Sequence, residues 1–339
     1  MYTVDEVWGS PLLEECVGRD KKPSVLMLDP DANRYIARLA TQFSNFAFIP
    51  CATYADLPAL MNDFTPEIAL AFKIDGAPFP RRDFIDGSEI SWIHAAGAGV
   101  EHFQPWDPTR VTITNSSGIH GDIMAQYVLG AIINFNHHGR RYFLQQVEKD
   151  WHKHYSRTIE GQTLTVVGFG SVGSAVGDLA ARAGMTVIGV RAQSQSTEGG
   201  GAVVGVDRLE WAVSQADHLA ICLPLTRSTE GMINERLLGT LTPGAHFINV
   251  SRGGIVDETA LLKALRDGRI GGATLDVFAQ EPLPSDSPFW NMSNVTITPH
   301  SSSDIAGWQD RVVALFGENL ARWEKGEALR NVVDPSRGY

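Results

Sequence analysis

Cysteine is scarce. Three residues in 339, Cys16, Cys51 and Cys222, are odd in number and far apart, with no CxxC pair and no metal-ligand spacing. A disulfide-framed module and a zinc module are therefore not expected, and no metal site is assigned. The thiols read as small buried hydrophobes in a reducing compartment. Positive charge is also short: 28 Lys and Arg against 39 Asp and Glu leave a formal net charge of −11. Such a chain lacks the basic surface on which a phosphate backbone docks, so nucleic acid is not an expected partner. No run approaches the ~20 apolar residues of a membrane span. The opening MYTVDEVWGSPLLEE carries acids near its start and no sustained apolar stretch, unlike a secretory signal. A cytoplasmic location is the resulting expectation.

What is present is a folded composition, 43% hydrophobic and 20% charged, in a chain long enough for two domains. From residue 24 short apolar runs alternate with helix-compatible segments: SVLML, FAFIP, EIALAFK, SWIHAA and VTITN. Continuous apolar runs of this length suit parallel strands buried on both faces. After a long helical stretch, HGDIMAQYVLGAIINFNHHGRRYFLQQVEKDW, a second series follows: TLTVV, MTVIGV, AVVGV, HLAICL, HFINV, GATLDV and NVTITP. The expected fold class is α/β, with two Rossmann-like or flavodoxin-like domains built on parallel sheets. The final stretch AGWQDRVVALFGENLARWEKGEALRN reads as an amphipathic helix whose docking site periodicity does not reveal.

The strongest local signal is TLTVVGFGSVGSAVGDLAARAG. Gly168, Gly170 and Gly173 form GxGxxG between an apolar strand and an alanine-rich helix, the context that gives this motif its meaning. Gly168 permits a tight turn, Gly170 lets a pyrophosphate approach the backbone, and Gly173 allows close helix packing. The amides around Ser171 and Val172 then face phosphates at the positive end of the helix. The next strand ends in Arg191, where an acid would hold the ribose hydroxyls of NAD. With Gln193, Ser194 and Ser196 nearby, that cation suits the extra 2′-phosphate of NADP(H) in preference to NAD(H); the alternative is a solvated arginine at a strand end.

A nicotinamide cofactor directs attention to groups that bind a carbonyl and move a proton. INVSRGGIVDE sets Arg252 after a strand, at the carboxyl edge where open α/β sheets bind ligands. Its guanidinium could grip a substrate carboxylate and polarise the adjacent carbonyl, or bond to loop carbonyls. VTITPHSSSD sets His300 at the end of another strand, and histidine donates protons readily near neutral pH. In GGATLDVFAQEPLP, Glu281 would favour the imidazolium if it met His300; otherwise it is a solvated glutamate before proline.

These stretches together with IHAAGAGVEH, TNSSGIHG and CLPLT, in this order, resemble the D-isomer-specific 2-hydroxyacid dehydrogenase family over essentially the whole chain. The resemblance implies an NAD(P)-dependent oxidoreductase that interconverts 2-oxoacids and R-configured 2-hydroxyacids, with its active site in a cleft between two domains. It implies that Arg252, Glu281 and His300 are catalytic, that Ala98 and Gly99 bind the substrate carboxylate along with Arg252, and that Asp276 contacts the nicotinamide carboxamide. It also implies a discontinuous substrate-binding domain, residues 1–117 plus 305–339, around a dinucleotide-binding domain of residues 118–304. A homodimer through the cofactor domains, including the 121–155 region, is a further implication. TNSSGIHG and the tail resemble the glyoxylate and hydroxypyruvate reductase branch. SSSDIAGW after His300 departs from the alanine and aromatic of many relatives. Glyoxylate, hydroxypyruvate, pyruvate and bulkier 2-oxoacids stay open as substrates, as does the physiological direction. Two alternatives also stay open: a related dehydrogenase for another small acid, and a dinucleotide-sensing or corepressor-like protein on the same scaffold.

Overall fold

The structure, a computed structural model, describes residues 22–74, 78–192 and 202–335. Cys16, Gln193, Ser194 and Ser196 lie outside the described residues, so their assigned roles receive no structural account. The chain divides into two compact units, one made of the residues up to Ser117 together with those from Gly307 onward, the other Gly118–Ala306.

In the first unit β1 (Ser24–Leu28), β2 (Ala47–Cys51), β3 (Ile68–Ala71), β4 (Trp92–Ala95) and β5 (Thr112–Asn115) form a parallel sheet of order β2-β1-β3-β4-β5. This is the flavodoxin-like order, and a parallel sheet of this kind leaves both faces to be covered. Helices α1 (Ala32–Gln42), α2 (Leu57–Phe64) and α3 (Arg81–Ile85) supply cover.

The second unit opens with two helices, α4 (Gly121–Asn136) and α5 (Gly139–Glu148). Its strands are β6 (Thr163–Val167), β7 (Thr186–Arg191), β8 (Ala202–Gly205), β9 (His218–Ile221), β10 (Ala245–Asn249), β11 (Ile270–Leu275) and β12 (Val295–Ile297), with α6 (Ser171–Arg182), α7 (Leu209–Ser214), α8 (Glu235–Leu238) and α9 (Glu258–Arg266) between them. The sheet order β12-β11-β10-β9-β6-β7-β8 is the doubly wound dinucleotide-binding order extended by one strand. Strand order reverses between the parallel neighbours β6 and β9, and ligands bind at the carboxyl ends of strands beside such a reversal.

The last helix, α10 (Trp308–Glu324), belongs to the first unit. Its Phe316 lies 5.2 Å from Trp92, and Trp323 lies 5.6 Å from Phe46, ring centre to ring centre. The helix stops short of the full amphipathic stretch because Gly326, at φ +66°, takes the left-handed turn that ends it.

Both units bury histidine within polar chains. In the first, the Trp92 indole N–H donates to Thr114 Oγ1 (2.9 Å), and the Thr114 hydroxyl donates to His94 Nδ1 (2.7 Å). His94 Nε2–H then donates to Ser116 Oγ (3.1 Å), whose hydrogen goes to the Ala95 carbonyl (3.3 Å). An indole can only donate and a carbonyl can only accept, so with the buried imidazole neutral the chain runs with this one polarity. Burial pushes His94 down to about 3. In the second unit His218 and His246, on neighbouring strands, meet through their Nδ1 atoms at 3.3 Å. Gln162 Oε1 closes one end on His218 Nε2 (2.7 Å), and Thr274 Oγ1 the other on His246 Nε2 (3.0 Å). Burial lowers His218 to about 4 and drives His246 well below its ordinary value, with the neighbouring His218 adding to the effect.

Candidate active site

The glycine turn is built as its sequence requires. Gly168 leaves β6 at φ +100°, and a Cβ there would sit 2.6 Å from the backbone of Cys222, which follows β9. Gly173 is equally constrained, since its Cβ would meet the Gly168 carbonyl oxygen at 2.1 Å. Gly170 differs: it is exposed, and a Cβ there meets nothing within 4 Å. Two glycines thus close the turn, and the middle one opens it to a ligand. Ser171 and Val172 begin α6 beside that space, so the free amides of its first turn are available to phosphate. These residues fit a dinucleotide pyrophosphate. Arg191 ends β7, half-buried and paired in register with Gly205 of β8.

Three adjacent parallel strands, β10, β11 and β12, deliver the remaining candidates at their carboxyl ends. Arg252 follows β10 in extended conformation. Its loop is pinned by Asn249, whose side chain donates to the Arg252 carbonyl (3.2 Å) and accepts from the Ser251 amide (3.1 Å). Gly253 packs so tightly against the Phe278–Ala279 backbone that no side chain fits there. The arginine loop and the loop carrying Glu281 are therefore in direct contact.

Glu281 and His300 come together across 19 residues of sequence: His300 Nδ1 lies 2.8 Å from Glu281 Oε2. The other glutamate oxygen accepts from the Phe278 amide at 2.9 Å. Burial works to raise the Glu281 carboxyl, but the His300 and Phe278 hydrogen bonds, with the charges of His300 and Arg252, outweigh it and hold the group below the usual carboxylate range. A carboxylate can only accept, so His300 Nδ1 carries hydrogen and Nε2 is left for other chemistry. The two side chains are 44% and 36% exposed, open enough for a small molecule to reach the imidazole.

Asp276, expected at the cofactor carboxamide, follows β11 with a side chain that is 1% exposed and hydrogen-bonded within the protein. Its oxygens accept from Thr298 Oγ1 (2.5 Å) and from the amides of Ser301 (2.8 Å) and Ser302 (3.0 Å). These contacts follow from register: β11 and β12 are neighbours, so the carboxylate after one meets the loop that leaves the other.

Glu258 was missed by sequence reading. Following the Asp257 cap of α9, it accepts from the Ala279 amide at 2.6 Å, the residue next to the one held by Glu281. Burial and the nearby Glu281 charge raise its carboxyl, the Ala279 hydrogen bond opposing them. Its position in the first turn after a cap was the only available signal.

In the first unit Gly97 and Ala98 are exposed and Gly99 half-buried, in the loop after β4. Asn115 Nδ2 donates to the Ala98 carbonyl (2.7 Å) and the Ser116 amide to that of Gly97 (3.1 Å). The loop thus hangs from β5, beside the His94 chain.

A family profile described as "D-isomer specific 2-hydroxyacid dehydrogenase, NAD binding domain" matches residues 129–302. The chain belongs to the D-isomer specific 2-hydroxyacid dehydrogenase family. As a 2-hydroxyacid dehydrogenase it is an NAD(P)-dependent oxidoreductase that uses a nicotinamide dinucleotide. It is similar to glyoxylate/hydroxypyruvate reductase A of Yersinia enterocolitica, 34% identical over 263 residues, 74% of this chain and 82% of the relative. Among solved structures it is similar to a D-isomer specific 2-hydroxyacid dehydrogenase of Xanthobacter autotrophicus in complex with NADPH and MES (30% identity, TM-score 0.81, 94% of this chain and 100% of the other). It is also similar to an NADPH-dependent glyoxylate/hydroxypyruvate reductase of Sinorhizobium meliloti in complex with NADP and sulfate (26% identity, TM-score 0.79, 93% and 100%). Among the described residues, no helix of this family member is long and apolar enough to cross a membrane, and no cluster of His, Cys, Asp and Glu has the makings of a metal site.

Proposed function

We propose that this enzyme is an NADPH-preferring reductase of a small 2-oxoacid, glyoxylate or hydroxypyruvate. The observation that carries the reading is the 2.8 Å contact between His300 Nδ1 and Glu281 Oε2, beside the loop of Arg252. Glu281 keeps hydrogen on Nδ1 and orients the ring, so that Nε2–H is the proton donor to the carbonyl oxygen. Arg252 binds the substrate carboxylate and polarises the carbonyl, and the backbone amides of Ala98 and Gly99 bind that carboxylate too. Gly168, Gly170, Ser171, Val172 and Gly173 hold the pyrophosphate. A bound reduced nicotinamide supplies the hydride. Arg191 pairs with the 2′-phosphate, a preference supported by the relatives captured with NADPH or NADP.

The residues up to about 117 and from about 305 serve as the substrate-binding domain and residues 118–304 as the cofactor domain. The working form is a cytoplasmic homodimer. Support for the dimer comes from apolar side chains left in water on and after α5: Phe143, Val147, Trp151 (97% exposed) and Tyr155 (100%). Contiguous exposure of this kind marks an interaction surface. The test is an initial-rate panel of glyoxylate, hydroxypyruvate, pyruvate and a bulkier 2-oxoacid with NADPH and NADH. Fastest turnover of one of the first two acids with NADPH is expected; a bulky acid or NADH taking that place refutes the proposal.

A further inference from the structure

We propose that Asp276, Thr298 and Tyr127 form a positioning relay that locks the His300 loop in the one backbone shape that presents the imidazole to Glu281. This rests on His300 being the proton donor.

His300 has φ +53°, a left-handed conformation that costs a non-glycine residue about 1–2 kcal/mol and persists only when its surroundings impose it. The imposing group is a single residue. The Asp276 backbone carbonyl accepts from the His300 amide at 2.8 Å, and the Asp276 carboxylate accepts from the next two amides, those of Ser301 and Ser302. Three consecutive N–H groups thus converge on one aspartate around a turn with His300 in the left-handed region. If the turn relaxed to a right-handed or extended conformation, the side chain would swing off the 2.8 Å Glu281 contact.

The relay continues beyond the aspartate with fixed polarity. A carboxylate can only accept, so the Thr298 hydroxyl spends its one hydrogen on Asp276 Oδ1, 2.5 Å away. The 2.6 Å contact between Thr298 Oγ1 and the Tyr127 hydroxyl is then a bond that Tyr127 donates. Tyr127 can always do so: burial, assisted by the Asp276 charge and opposed by the Thr298 hydrogen bond, raises it to about 12. Tyr127 stands on α4 next to the fully buried Val128. The histidine loop is therefore anchored to a packed helix 171 residues away in sequence. Asp276 and its partners act through His300 and are positioning residues.

The test compares Thr298→Val, Thr298→Ser, Tyr127→Phe, Asp276→Asn and His300→Ala, each checked for folding by circular dichroism. Readouts are kcat and KM for glyoxylate and hydroxypyruvate, the Kd for NADPH by fluorescence, and the low-field imidazole proton of the His300–Glu281 bond by NMR. Losing one hydrogen bond to a charged acceptor is expected to lower kcat about tenfold in Thr298→Val. NADPH affinity should change by less than about twofold, a shift too small to matter in free energy. The low-field proton should broaden or vanish, Thr298→Ser should restore both kcat and the signal, and Tyr127→Phe should move both in the same direction. Wild-type kcat in Thr298→Val and Tyr127→Phe alongside an inactive His300→Ala overturns the relay alone. A loss in Asp276→Asn confined to NADPH Kd also overturns it and leaves Asp276 as a cofactor contact alone. Full turnover in His300→Ala overturns the reading of the site, and the relay falls with it.

Discussion

Acidification should unfold this enzyme well above the pH at which its carboxylates protonate, because three histidines are buried in the neutral form. His94 is held at about 3, His218 at about 4, and His246 well below its ordinary value, all chiefly by burial. An unfolded histidine takes up its proton near pH 6.5, so between that pH and the folded values the unfolded chain binds protons that the native state refuses. The sign follows: stability is full above about pH 6.5, falls as pH drops, and levels off below the folded values. At about pH 5 His94 in one unit and His218 in the other have each lost about one and a half pH units of linkage, about 2 kcal/mol apiece. His246 acts in the same direction as His218, and a loss of this size is a large fraction of an ordinary domain's stability. Urea unfolding followed by circular dichroism across about pH 5 to 7.5 measures it, with histidine NMR reporting that the three imidazoles stay neutral. His94→Asn should lose stability at neutral pH yet show a shallower pH slope, since one acid-sensitive group is gone. Unfolding free energies that do not fall towards pH 5, or three imidazoles that titrate near 6.5, would refute the reasoning.

The two glycine positions at the turn should respond oppositely. Gly168→Ala puts a Cβ into the Cys222 backbone at φ +100° and should cost at least about 2 kcal/mol in thermal or urea unfolding. Gly170→Ala enters empty space and should leave stability unchanged while weakening NADPH binding in a fluorescence titration. Arg191→Asp should reverse the NADPH over NADH preference in kcat/KM, by about tenfold or more if the guanidinium makes one charge-assisted bond to the 2′-phosphate. Phe143→Glu with Val147→Asp should convert a dimer to a monomer in light scattering without loss of folded signal.

The sheets were legible because a parallel sheet writes itself in continuous apolar runs: five runs before residue 115 and seven after 163 became β1–β5 and β6–β12. The glycine turn was legible from its spacing between an apolar strand and a helix, and Gly173 is dictated by the nearby Gly168 carbonyl, although the backbone that dictates Gly168 belongs to the distant Cys222. Arg252 and His300 could be placed from sequence at the ends of strands, and they follow β10 and β12. Asp276 shows where such reading stops. Its position after β11 was plain, but the partners of its carboxylate lie 22 to 26 residues on, and strand register alone decides that they are Thr298, Ser301 and Ser302. Tyr127, deep in an apolar helix, gave no sign of a link to a loop 171 residues away. The buried histidines were hidden for the same reason, since a lone histidine in an apolar run says nothing of the hydroxyl or second imidazole on the neighbouring strand.

The most direct test of the central claim is single-turnover reduction of glyoxylate and hydroxypyruvate by NADPH-loaded wild type and His300→Ala, with Glu281→Gln beside them. NADPH binding should be retained throughout, turnover should fall by about 10²–10⁴ in His300→Ala, the range for removing a positioned general acid, and Glu281→Gln should lower turnover because an amide no longer fixes the hydrogen on Nδ1. Undiminished single-turnover rates in His300→Ala would contradict the account.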